Sequence, residues 1–75
     1  MAEFSPELLR DAMRLAGLSA GELATRAGLH RVTVANYTRG MRCPEETWER
    51  IEKALRQALD DHVRAAEKVR KRLAA

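Results

Sequence analysis

Leu18-Ser19-Ala20-Gly21-Glu22-Leu23-Ala24-Thr25-Arg26-Ala27-Gly28-Leu29-His30-Arg31-Val32-Thr33-Val34-Ala35-Asn36-Tyr37-Thr38-Arg39-Gly40 is the stretch that decides the fold. It opens on a capping box. The Ser19 side chain accepts from an amide three residues on, while Glu22 reaches back to the first backbone N–H. A short helix carrying Leu23, Ala24 and Ala27 follows and stops at Gly28. A second run, from His30 or Arg31 to Thr38, is closed by Arg39-Gly40, a good C-terminal signal. The spacing predicts two short helices joined by a glycine turn.

The charge pattern gives that pair a purpose. From Leu23 to Pro44 there is no Asp or Glu, yet Arg26, Arg31, Arg39 and Arg42 fall inside the window. In a chain that is 33% charged, such a gap marks a surface suited to phosphates. The net charge of +3 is unevenly divided. The central basic segment lies between acidic flanks, residues 1–22 and 45–59, which disfavour other orientations on a polyanion. Two short helices around a glycine turn, one face free of acids, outline a helix-turn-helix.

Composition bounds the rest. Seventy-five residues make one domain with one small core. The lone Cys43 excludes an internal disulfide, and two isolated histidines give no zinc-ligand spacing. Glu3 interrupts any signal-like start, and no apolar run approaches the roughly 18 residues of a membrane span. A cytoplasmic, all-α protein with no cofactor, no metal and no small-molecule ligand is expected. The aromatic residues are Phe4, Tyr37 and Trp48, the last two expected in the core.

Outward from the centre, Ser5-Pro6-Glu7 starts a first helix, with Ser at the cap and Pro in the first turn. It runs on Leu8, Leu9, Ala12, Met13, Leu15 and Ala16 and stops at Gly17. Leu18 before the Ser19 cap suits a hydrophobic staple. Pro44-Glu45-Glu46 opens a further helix with acids at its positive end. Its core-facing stripe is Trp48, Ile51, Leu55 and Leu59. From Glu45 to Ala75 there is neither Gly nor Pro. Unbroken, that helix would be ~45 Å long, more than a compact domain of this size covers. Either it breaks near Asp60-Asp61, or it protrudes. Leu55, Leu59, His62, Ala66, Val69 and Leu73 follow a 4-3-4-3-4 spacing that suits pairing with a second copy or a protein partner. Folding back on its own domain is the other use of such a tail. The division expected is a helix-turn-helix domain over 1–59 and a helical extension over 60–75.

Leu18 to Ala24, then Ala27-Gly28-Leu29, Val34, Gly40, Pro44 and Leu55, resemble the phage repressor/Cro-type (XRE-like) helix-turn-helix family. The likeness runs from about Leu9 to Leu59. It implies a lambda-repressor-like bundle of four or five helices that binds double-stranded operator DNA as a homodimer and represses transcription. Carried over by position, the third helix is the recognition helix, and Arg31, Val32, Ala35 and Asn36 read bases. Their chemistry fits: Arg31 can donate twice to guanine, Asn36 can pair with adenine, and Val32 and Ala35 suit a thymine methyl. Ser19, His30, Thr33, Arg39 and Arg42 would contact phosphates.

The chain departs from the family pattern in three places. Ala20 stands where many members have a Gln that reaches a phosphate. Met13 and Thr38 stand where many bury an Arg–Glu ion pair. Both partners are gone together, which leaves no uncompensated charge. The tail beyond Leu59 has no counterpart.

Three function classes follow. The first is an autoregulated transcriptional repressor, since no sensor domain fits in this length. The second is an antitoxin-like adaptor gripping a protein with its C-terminal helix. The third, an enzyme, has neither a nucleophile arrangement nor a phosphate loop behind it. Glu49/Lys53, Glu52/Arg56, Asp60/Arg64 and Glu67/Lys71 sit four residues apart as solvated helix pairs.

Overall fold

The computed structural model describes residues 3–75 and is helical throughout its ordered elements. Helix α1 spans Pro6–Ala16, α2 Ala20–Ala27, α3 Arg31–Thr38 and α4 Glu45–Ala74. Local chemistry sets the first three. The Ser5 hydroxyl accepts from the Leu8 amide at 3.2 Å, and Pro6 fixes the first turn of α1. The capping box of α2 is complete: the Glu22 amide donates to Ser19 Oγ at 3.1 Å, and the Ser19 amide donates to Glu22 Oε1 at 3.0 Å. Both helices end on a left-handed glycine, Gly17 at φ 69° and Gly28 at φ 70°.

Each helix gives one side chain with no exposed surface to the centre. These are Leu9, Leu23, Val34 and Ile51. Tyr37, Trp48, Leu55 and the small residues Ala24, Ala27 and Ala54 complete the core, and Leu18 and Met13 pack against it partly buried. Phe4 bridges the edge of this core, meeting Tyr37 at 6.1 Å and Trp48 at 5.3 Å between ring centroids, both edge-on. α1 and α2 each pack against both α3 and α4, and burying those apolar stripes is what stabilises elements as short as eight residues, which are marginal alone.

The C-terminal helix settles an alternative left open by the sequence. α4 is a single helix of 30 residues. It neither breaks at Asp60-Asp61 nor folds back, because every residue from Asp60 to Ala75 is exposed. The molecule measures 47 Å along its longest axis, close to the ~45 Å of a straight 30-residue helix. One residue of the expected pairing stripe is corrected. Leu55 is 4% exposed and belongs to this chain's own core, so it is not available to a partner. Leu59 is half-buried at the junction, and His62, Ala66, Val69 and Leu73 are exposed. Among the described residues, no helix is long and apolar enough to cross a membrane.

Candidate nucleic-acid interface

The site is built on α3. Val34 and Tyr37 turn inward and hold the helix against α2 and α1. On a 3.6-residue repeat, the opposite side carries Val32, Ala35, Asn36 and Arg39 as one stripe. Val32 is 52% exposed, Arg31 and Arg39 are exposed, and Thr33, Ala35 and Asn36 are half-buried. Of the four residues expected to read bases, the structure therefore groups Val32, Ala35 and Asn36 on one stripe. Arg31 sits one turn below Ala35 at the start of the helix.

Asn36 has a neighbour. Arg39 Nη1 donates to Asn36 Oδ1 at 3.4 Å, a long and easily exchanged hydrogen bond. It leaves the amide group of Asn36 available and holds the guanidinium along the same face. An adenine edge would use both the oxygen and the nitrogen of Asn36, and the second lone pair of Oδ1 lets it accept from a base while Arg39 stays.

The residues expected on phosphates stand at the starts of α2 and α3, at the end of α3 and in the connection to α4. His30 is the N-cap of α3: its Nδ1 accepts from the Val32 amide at 3.2 Å, so Nε2 is left to point outward. Ser19 Oγ accepts from the Glu22 amide, and its hydroxyl leans on the Glu22 carboxyl, so a phosphate would have to compete with Glu22 for that proton. The Ser19 amide is already taken by Glu22. Thr33 lies half-buried in the first turn of α3, and Arg42 is exposed in the connection to α4. Arg26 is different. Its guanidinium meets Asp61 of α4 at 3.8 Å, so Arg26 turns toward α4 while Arg31 and Arg39 stay on α3, and Arg42 lines a groove with Phe4, Trp48, Glu3, Glu45 and Glu49.

Two interactions that hold the site have no local sequence signal. Arg10 of α1 donates to the carbonyl of Thr38, at the C-terminal end of α3. Arg50 Nη2 of α4 donates to the carbonyl of Gly28 at 3.1 Å, at the end of α2. Each places a cation on the unsatisfied carbonyls of a short helix. Arg10 also bears on the missing ion pair. Met13 packs against the core, Thr38 Oγ1 donates to the Ala35 carbonyl at 2.6 Å, and the arginine one turn before Met13 still ties α1 to the end of α3.

Behind the face, Cys43 and Tyr37 are buried together. Burial pushes the Cys43 thiol above its ordinary value, with the Tyr37 hydroxyl partly opposing it. Burial, then the adjacent Cys43, raises the Tyr37 hydroxyl likewise. Both stay neutral near pH 7, as a packed layer under α3 requires.

No curated protein and no solved structure matches this chain. The helix-turn-helix family model matches residues 9–61, which takes in α2, α3, most of α1 and the packed half of α4. The chain belongs to the XRE-type helix-turn-helix family and is a DNA-binding regulator of that type.

Proposed function

We propose that the protein is a repressor, controlling its own gene, that reads a two-fold operator as a homodimer. The observation that carries this reading is the outward stripe of α3, where apolar Val32 and Ala35 lie beside Asn36 with Arg31 and Arg39 at either end. A helix serving only to attract phosphate would need no such mixture. Two polar readers beside small apolar ones suit base edges, and flanking hydroxyl and guanidinium groups suit phosphates. One α3 covers a few base pairs, which is less contact than specific affinity normally requires. A second copy on a half-site about one helical turn away supplies the remainder. Occupancy would follow protein concentration. Repression needs no activating surface, because a bound dimer can block polymerase.

Fluorescence anisotropy against DNA from upstream of its own gene, beside scrambled DNA, tests the proposal. Tight binding to the upstream DNA alone, abolished in the double variant Arg31→Ala, Asn36→Ala, is the expected result. Equal binding to both DNAs sinks the operator assignment.

The bare distal half of α4 favours one second reading, an antitoxin-like adaptor that grips a protein there. In that case the same double variant keeps its partner, and a partner-binding affinity nearly independent of salt separates it from phosphate neutralisation.

A further inference from the structure

The geometry points to an antiparallel seam between two copies of this chain, formed by the distal half of α4 and crossing at Ala66. The inference rests on the homodimer reading and adds its orientation. Three observations carry it. The stripe that faces the core in the packed half of α4, Trp48, Ile51, Leu55 and Ala58, continues without a change of phase into His62, Ala66, Val69 and Leu73. In the first half it is covered by α1 and α2. In the second, no described residue covers it: Val69 and Leu73 are 56% and 81% exposed, and Val63 beside the stripe is 59% exposed.

The apolar residues are also placed symmetrically. Leu59 and Leu73 each lie seven residues from Ala66, and Val63 and Val69 each lie three. Reversing the segment about Ala66 therefore sets leucine against leucine and valine against valine. Ala65 and Ala66 at the centre let two helices approach more closely than larger side chains would.

Charge then selects the direction. The near end of the segment carries Asp60 and Asp61, the latter also meeting Arg26, the middle carries Arg64 and Glu67, and the far end carries Lys68, Arg70, Lys71 and Arg72. On the 3.6-residue repeat Arg70 falls between Ala66 and Val63, opposite His62 of the other copy, and Arg72 lies outside Val69. A parallel pair would set the two basic ends side by side, well within a Debye length of about 8 Å. An antiparallel pair sets each basic end against the acidic end of the other copy, and the helix dipoles oppose as well. The DNA-binding heads then stand at opposite ends of the seam, related by a two-fold axis at Ala66, as a palindromic operator demands.

Disulfide trapping in the full chain reads the orientation. Ala66→Cys and Leu73→Cys are made separately on exposed positions, and the parent, whose sole thiol Cys43 is buried, gives the background. In the antiparallel seam the two 66 positions meet, while the two 73 positions lie ~21 Å apart, beyond the roughly 7 Å limit between Cα atoms of a disulfide. Under mild oxidation, Ala66→Cys should cross-link at least about tenfold faster than the parent, because pairing raises the local thiol concentration. Leu73→Cys should stay at the parent's rate. Cross-linking of both variants would show a parallel pair and overturn the proposal. Cross-linking of neither overturns the seam altogether. Operator titration of the same variants keeps the two readings apart: retained DNA binding without cross-links removes the seam alone, whereas a parent that ignores the upstream DNA removes the repressor reading whichever way the cross-links fall.

Discussion

Arg31 and Arg42 are both exposed arginines of the acid-free window, yet they should behave differently when removed. Arg31 projects from the first turn of α3, where a planar fork can meet a guanine edge. Arg42 sits in the connection before α4, where only backbone phosphates are within the expected reach. Arg31→Ala should cost about 1–3 kcal/mol on the cognate operator and little on scrambled DNA. Arg42→Ala should weaken both by a similar factor and reduce the salt slope by about one. Titrations on both DNAs at several salt concentrations check this, and equal loss on both from Arg31→Ala would move it to the phosphate group. Two glycines make a second residue-scale contrast. Gly28 has φ +70°, and an added Cβ would lie 2.6 Å from Arg50 Nη2, the group that donates to its carbonyl. Gly28→Ala should destabilise by about 1–2 kcal/mol through the left-handed backbone. Gly21 lies inside α2, where an added Cβ meets only Ser19 Oγ at 4.0 Å. Gly21→Ala should stabilise by about 0.5 kcal/mol. Urea unfolding of the pair gives opposite signs if the backbone argument holds.

At the scale of elements, the ends of α2 and the fate of its capping box depend on pH. Hydrogen bonds from the Ser19 amide and hydroxyl hold the Glu22 carboxyl below its ordinary range. A carboxyl lowered in the folded state contributes stability at neutral pH, and the contribution fades as pH falls through the ordinary glutamate range into the depressed one. Glu22→Gln keeps the reach of the box but does not titrate. The drop in Tm between pH 7 and pH 3 should therefore be smaller in Glu22→Gln than in the parent. An unchanged drop would mean that the box contributes nothing to acid sensitivity. The same box shows why so much of the fold was legible beforehand. Ser5-Pro6, Gly17, Ser19 with Glu22, and Gly28 act within four residues, so α1, α2 and the turn into α3 are written locally. The outward stripe of α3 follows from periodicity once Val34 and Tyr37 are assigned inward. Arg10 on Thr38 and Arg50 on Gly28 join residues 28 and 22 apart, and no local pattern announces them. Arg26 illustrates the same limit: by composition it belongs to the basic window, and only the fold shows that Asp61 draws it aside. The span of α4 was undecided for a related reason. Asp60-Asp61 can cap a new helix, but the packed half of α4 has already met the cost of nucleation, and propagation through pairs four residues apart needs no further core. One such pair, Arg56 with Glu52 at 3.7 Å, lies just before the exposed segment.

At the scale of the molecule, the burial pattern separates a packed head from a protruding helix. The last buried residue is Ala58, and Arg26 with Asp61 closes the contact between α2 and α4. Everything beyond Asp61 is exposed helix that contributes no buried surface to the single chain. Removing residues 62–75 should therefore leave the thermal midpoint within about 3 °C of the parent, since a small domain shifts by roughly 4–8 °C per kcal/mol. Binding should change far more. If the distal helix joins two heads, a bound first head raises the effective concentration of the second at its half-site, and the gain over a single head is about 10²–10⁴-fold. The truncated protein should sediment as a monomer, keep the parent's affinity for an isolated half-site, and lose that factor on the full operator. An unchanged midpoint with an unchanged operator affinity would place the joining surface elsewhere on the head. A collapse of the midpoint would instead mean that the protruding helix stabilises the head, against the burial pattern on which the division of labour rests.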